Sequence, residues 1–320
     1  MRRRLALALT IGATLLAVPL IAEPRVEVLS QVDWSVDLND FCNDAVSKTA
    51  RCIGAFKDRE SGTRFGGLSG LEIDDGGHEF LTISDTGVAY FGVFERVADG
   101  AITDVMLLQA RELLFEGGQR PEKKKDRDTE GLASLAPEQL YISAESKARL
   151  LRYDDNNPQP TFAPLPLAGA RTPLNMGFEA LAIDATGALF ALPEGSANIR
   201  APFDLFKRRA NGDWSVIYQL PRHGGFRPVG ADFGKDGHLY VLSRAFNGFA
   251  FASQIQRILF KDGTPSAHQM LFTSPFGQFD NLEGLATWQA GPDDLRLYAV
   301  SDDNFSGAQS TIIVEFQVHE

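Results

Sequence analysis

A short segment recurs five times in this 320-residue chain, and three of the copies open on an acid. The clear copies are Glu130-Gly131-Leu132-Ala133, Glu179-Ala180-Leu181-Ala182 and Glu283-Gly284-Leu285-Ala286. Each is followed by a turn, a short strand and a second acid: Glu145, Glu194 and Asp302. Two copies have drifted. Ser69-Gly70-Leu71 leads to Asp85, and Val229-Gly230-Ala231 leads to Arg244. The starts fall at 69, 130, 179, 229 and 283, a period in the range of propeller blades.

Turn signals separate the two marked positions, among them Asp75-Gly76-Gly77, Ala185-Thr186-Gly187 and Lys235-Asp236-Gly237. Two further apolar runs follow in each unit, joined in one case by the hairpin pair Asn211-Gly212. Each unit therefore reads as four strands with no long helix. One such sheet cannot bury both faces alone, and radial packing of several sheets solves this. The expected fold is an all-β propeller of five or six four-stranded blades. A pair of β-sandwiches competes, but it needs no acid at a fixed phase. The last unit is one strand short, and the run Arg25–Val36 is expected to close the ring. Residues 37–66 have room for a sixth, irregular unit.

Residues 1–22 read as a secretory signal peptide, with Arg2, Arg3 and Arg4 before the apolar stretch Leu5–Ile21. An uncleaved anchor is the alternative. Residues 23–320 then form a single propeller domain, periplasmic or secreted, with no stable membrane span after cleavage. Removing three arginines takes the formal charge from −11 to −14. A chain this acidic is a poor partner for nucleic acid and suits a cation better. The two cysteines, Cys42 and Cys52, are expected to form a disulfide in an exported chain.

In a propeller, equivalent positions of successive innermost strands face one another around the axis. Glu130, Glu179 and Glu283 would form one layer; Asp85, Glu145, Glu194 and Asp302 would form a second, interrupted by Arg244. At ~6 Å and an effective dielectric of ~20, each carboxylate pair repels by about 3 kcal/mol. Either protons or cations must relieve this. An oxygen-only set favours calcium or another hard cation. Asn175, Asn281 and Asn304 stand nearby as amide donors of oxygen. The alternative is that these acids cap strand ends or pair with basic side chains. For catalysis the candidates are His223 as general base or phosphate contact, and Arg227 and Arg244 as partners for anionic charge. The polar insertion at 116–129 is either a solvated loop or a cationic lid.

Several segments resemble the phytase-like domain family, also described as "esterase-like activity of phytase". They are Phe65-Gly66-Gly67-Leu68-Ser69-Gly70-Leu71, Ile83-Ser84-Asp85-Thr86-Gly87, Asp128-Thr129-Glu130-Gly131-Leu132-Ala133, Phe178-Glu179-Ala180-Leu181, Asn281-Leu282-Glu283-Gly284-Leu285 and Ser301-Asp302-Asp303-Asn304-Phe305. The resemblance implies hydrolysis of a phosphate ester or related ester on a propeller. Calcium-dependent propeller phytases carry a dense set of Asp, Lys, Arg and Tyr around calcium and phosphate. That set does not map onto this chain residue by residue, so the ester class is implied and phytate is not. Three readings stay open: a metal-assisted hydrolase of a small anionic ester, a non-catalytic propeller that binds a cell-envelope ligand or protein, and a lactonase-like hydrolase.

Overall fold

The structure, a computed structural model, describes residues 26–28, 34–36, 42, 49–58, 65–98, 100–136, 139–145, 149–154, 157–164, 177–196, 198 and 200–319. The signal segment 1–22 lies outside them, as do Asn175 and residues 37–41, 43–48 and 59–64. The chain enters through β1 (Val26–Val28), β2 (Trp34–Val36) and β3 (Ala50–Asp58). Four meanders follow. The first blade holds β4 (Leu68–Ile73), β5 (Glu79–Ser84), β6 (Val88–Arg96) and β7 (Ile102–Glu112), with β1 added outside β7. The second holds β8 (Thr129–Ala136), β9 (Gln139–Ala144), β10 (Arg149–Asp154) and β11 (Asn157–Pro164). The third holds β12 (Ala180–Ile183), β13 (Leu189–Leu192), β14 (Phe203–Arg208) and β15 (Trp214–Leu220). The fourth holds β16 (Arg227–Phe233), β17 (Leu239–Phe246), β18 (Phe251–Lys261) and β19 (Thr264–Thr273). The fifth runs β20 (Leu282–Gly291), β21 (Asp294–Ser301), β22 (Ile312–Val318), β3 and β2. This is a five-bladed propeller, all pairings antiparallel.

An N-terminal strand closes the ring, but it is β3 and not the run 25–36. Ala50 to Lys57 pair with Val318 to Ile312, and β2 sits one place further out. The strand β3 takes residues 50–58 of the stretch that had room for a sixth unit. Cys42 and Cys52 form the expected disulfide, with Cα atoms 5.2 Å apart, so residue 42 is stapled to the closing strand.

The blades bury their faces against one another. The buried apolar residues fall into five clusters, one between each pair of neighbouring blades. Phe272 and Phe316 meet at 4.9 Å between the fourth and fifth blades. Phe94 and Tyr298 stack at 5.6 Å across the seam between the fifth and first. Each ring so buried contributes about 1.5–3 kcal/mol relative to exposure. Charge reinforces that seam: Glu315 accepts from Tyr298 at 2.5 Å and from Arg296 at 3.0 Å, and Arg96 lies 4.3 Å above the Trp288 ring.

The repeated glycine of the motif has a steric cause. A Cβ on Gly131 would lie 2.4 Å from the Glu179 carbonyl oxygen, and one on Gly230 would lie 2.5 Å from that of Glu283. Innermost strands of adjacent blades therefore touch at this level. The axis there is a narrow waist lined by Gly70, Gly131, Gly230 and Gly284, with no room for a water.

Candidate functional site

Above the waist, each innermost strand starts with the same local geometry. The backbone N–H of Asp85 donates to the carbonyl of Gly67 at 2.9 Å. Glu145 does the same to Asp128 at 2.9 Å, Glu194 to Gly177 at 3.1 Å and Asp302 to Asn281 at 2.9 Å. Each acceptor lies two residues before the first marked position of its repeat. In the fourth blade Arg244 and Arg227 are register partners instead. One backbone contact thus fixes the second marked residue beside the first in every blade, and all of them at one end of the axis.

The resulting mouth has two unlike arcs. On the second blade, carboxylate oxygens of Asp128, Glu130 and Glu145 all lie within 4.8 Å of one another. None of the three has a salt-bridge partner among the described residues. Burial raises the pKa of Glu130 well above the usual range, and Glu179 and Glu283 add to the shift. Asp128 and Glu145 are also raised, first by burial and then by neighbouring carboxylates.

On the opposite arc, Arg244 is the hub. Its Nη1 donates to Asn281 at 2.6 Å and to Glu283, while its Nη2 lies 3.8 Å from both Glu179 and Glu194. Burial works against its charge, but Glu283, Glu179 and Glu194 hold its pKa above the usual arginine value. Arg227 reaches Glu194 at 3.4 Å and remains half-exposed. Lys124, from the insertion, meets Asp85 at 2.5 Å. The insertion is folded, with two short 3₁₀ turns at Glu116–Gly118 and Lys124–Asp126, and Arg149 holds the carbonyl of Asp126 at 2.8 Å.

Asp302 and Asp303 complete the rim. Burial is the main reason the pKa of Asp302 is pushed up to about 8, and Glu283 adds to it. Asp303 accepts the N–H of Gly67 at 2.9 Å and that of Phe305 at 3.0 Å. Gly66 and Gly67 are required here, because Cβ atoms would lie 2.6 Å from Asp303 and 2.5 Å from Asp85. Gly67 also has φ +64, a left-handed conformation that glycine adopts without strain.

The structure therefore gathers Glu130, Glu179, Glu283, Asp85, Glu145, Glu194, Asp302, Arg244 and Arg227 at one mouth. His223 stands apart from these side chains. It is exposed, and its ring lies 6.0 Å from that of His268 on the outer strand β19. Asn304 accompanies Asp302, to which its N–H donates at 2.6 Å. Two residues of the mouth, Asp128 and Asp303, escape a search for the marked positions alone. Asp128 has a signal in hindsight, since it occupies the phase of Gly67, Gly177 and Asn281.

A second pair of acids lies lower in the ring, on the two drifted blades. Glu72 accepts from the Ser134 N–H at 2.9 Å, and Asp232 accepts from the Thr287 N–H at 2.7 Å. Both are three residues past their repeat start. Burial pushes Asp232 up to about 6 and raises Glu72 well above its usual value. Each clamps a neighbouring blade through its backbone.

Solved structures similar to this chain include the pyrroloquinoline-quinone-bound aldose sugar dehydrogenase of Streptomyces coelicolor, at 14% identity and a TM-score of 0.43, covering 93% of this chain and 99% of that one. A luciferin-regenerating enzyme is similar at 11% identity and a TM-score of 0.42, covering 93% and 98%. The virginiamycin B lyase of Staphylococcus aureus is similar at 11% identity and a TM-score of 0.41, covering 92% and 100%. Likenesses this distant carry no argument about chemistry. No curated protein matches the chain. The family model described as esterase-like activity of phytase matches residues 63–305, from the glycine cradle of the first blade to the Asp302–Phe305 rim of the fifth. By that match, the chain belongs to the phytase-like family.

Proposed function

We propose that the mouth of this propeller is a metal-assisted site for hydrolysis of a phosphate ester or related ester, with calcium the cation that suits its ligands. The observation that carries this reading is the convergence of Asp128, Glu130 and Glu145, whose oxygens lie within 4.8 Å of one another with no salt bridge to any of them among the described residues. Carboxylates so close and so buried stay charged only when a cation joins them. Two buried oxygens of the same mouth, Glu179 Oε2 and Asp85 Oδ1, have no hydrogen-bond donor. All the donors are oxygens, which fits a hard cation. Asp128, Glu130 and Glu145 would hold it. When bound, such an ion polarises the ester and makes water a better nucleophile at neutral pH.

The chain's own residues supply the rest. Arg244 is locked by Asn281 and Glu283, so its charge is fixed at the arc facing the acid cluster and meets developing negative charge without reorganisation. Arg227, half-exposed beside Glu194, is accessible to an anionic group on an incoming substrate. His223 is the candidate base; if it serves, His223→Ala loses turnover while calcium binding is kept.

The protein is exported in this reading. The Cys42–Cys52 disulfide suits an oxidising compartment, and no helix among the described residues is long and apolar enough to cross a membrane. A small anionic ester is its partner, and nucleic acid is not.

The test is turnover of 4-nitrophenyl phosphate and 4-nitrophenyl acetate with calcium or with chelator. Calcium-dependent turnover that falls at least 100-fold in Glu130→Gln supports the proposal. Equal turnover by wild type and Glu130→Gln refutes the site. A second reading, a non-catalytic propeller that docks a ligand through its loops, draws on the exposed phenylalanines of the mouth face. Inertness towards both esters with calcium bound would favour it.

A further inference from the structure

The exposed aromatic residues are distributed unevenly. Phe246, Phe249, Phe276 and Phe305 are all exposed, Phe249 to 97%. Each lies at the mouth end of the ring. Phe246 ends β17 two residues after Arg244, and Phe249 tips the β17–β18 hairpin. Phe276 is in the β19–β20 connection, and Phe305 is in the β21–β22 loop. The other large exposed apolar residues are aliphatic: Val97, Leu108, Leu135 and Val216. Of these, Val97 follows β6 and Leu135 lies in β8, both at the opposite end of the ring, while Leu108 lies on β7 beneath β1 and Val216 on the outermost strand β15.

The loops that carry the phenylalanines are laced together. The N–H of Gly277 donates to Phe251 O at 2.8 Å, joining the second loop to the first. The N–H of Ser310 donates to Asp280 Oδ2 at 2.7 Å, joining the third to the second. Asn247 Oδ1 accepts from the N–H groups of Phe249 and Ala250, both at 2.9 Å, which fixes the hairpin tip. The Phe246 ring rests 4.7 Å from that of Phe251. Next to Asp280 in the chain, Asn281 is the residue that holds Arg244. The aromatic rim and the cationic hub therefore share one scaffold.

We infer that this rim seats the apolar arm of the substrate, so that the preferred ester joins one anionic or carbonyl head to an aromatic or alkyl group. The inference rests on the hydrolase reading above and narrows its substrate class. Fixed loops hold the rings out of the core, where water contact disfavours them. An apolar group laid on them recovers that loss. A fully phosphorylated polyol offers no such group.

Two measurements keep this claim separable from the hydrolase reading. The first is calorimetric binding of methylphosphonate and phenylphosphonate, neither of which can be hydrolysed as an ester, to calcium-loaded protein. The second is turnover of 4-nitrophenyl acetate against 4-nitrophenyl octanoate. We expect phenylphosphonate to bind about tenfold tighter than methylphosphonate, the gain of burying one face of an aryl group. The octanoate should be preferred by a similar factor in kcat/KM. Phe249→Ala and Phe246→Ala should each erase most of both preferences, leaving methylphosphonate binding within twofold of wild type. Leu108→Ala should change neither. Equal binding of the two phosphonates, or arm preferences that survive in both phenylalanine variants, overturns the inference. Arm-dependent binding without turnover of any ester would sink the hydrolase reading alone and identify the rim as a ligand seat.

Discussion

Replacing Gly131 by Ala tests the steric origin of the repeated motif and its connection to the site. The new Cβ would stand 2.4 Å from Glu179 O and 2.8 Å from Leu181 Cβ. Ordinary contacts of these kinds are about 3.3 and 3.8 Å, so the innermost strands of the second and third blades must part by nearly 1 Å. The first obstacle is backbone, and a rotamer change cannot remove it. Overpacking of this kind costs about 1–3 kcal/mol. For a domain of this size that lowers Tm by about 2–5 °C. The same parting moves Glu130 away from Glu179, so calcium affinity should fall with stability. Differential scanning calorimetry with and without calcium reads both. Gly225→Ala is the control, because its Cβ would meet nothing closer than 3.9 Å. Ala180 already occupies the equivalent position of the third blade, which shows that the fold admits a methyl group where the neighbour allows it. A Gly131→Ala protein with Tm within 1 °C of wild type would refute the convergence argument.

Two further expectations concern charge. Arg244→Met leaves Glu283, Glu179 and Glu194 without their shared cation and should cost about 3–5 kcal/mol at pH 8. The loss should shrink towards pH 5 as Glu179 and Glu283, both raised first by burial, protonate; an equal loss at both pH values in urea melts would assign it to packing instead. Without metal, wild-type stability should itself fall as pH rises. Asp302 at about 8 and Asp232 at about 6 bind protons more tightly folded than unfolded. Their contribution is complete below the unfolded carboxylate range near ~4 and is lost as pH climbs through those two values. A urea midpoint in chelator that rises from pH 5 to pH 8.5 would contradict this, and calcium should narrow the difference.

The repeat was legible in the sequence because one backbone contact recurs in each blade. Spacing alone placed Glu145 beside Glu130 and Asp302 beside Glu283, and the N–H bonds to Asp128 and Asn281 explain why. The closing strand was harder to read. Ala50–Asp58 carries Arg51, Gly54 and Lys57 and looks weaker locally than 25–36. What selects it is a ladder to β22 some 260 residues away, and local propensity contains no trace of such pairing. Asp128 was hidden by its setting at the end of a charged insertion, where acids are ordinarily solvated. Glu72 and Asp232 were missed for the opposite reason. They sit on the blades that lack the leading acid, at a phase where the other three repeats carry Ala133, Ala182 and Ala286.

The central claim is that a hard cation belongs to the Asp128–Glu130–Glu145 cluster. Anomalous diffraction from crystals grown with calcium or terbium tests it most directly. The account predicts one ion peak about 2.3–2.6 Å from oxygens of all three residues, lost in Glu130→Gln crystals. A peak elsewhere in the ring, or none at millimolar calcium, would contradict it.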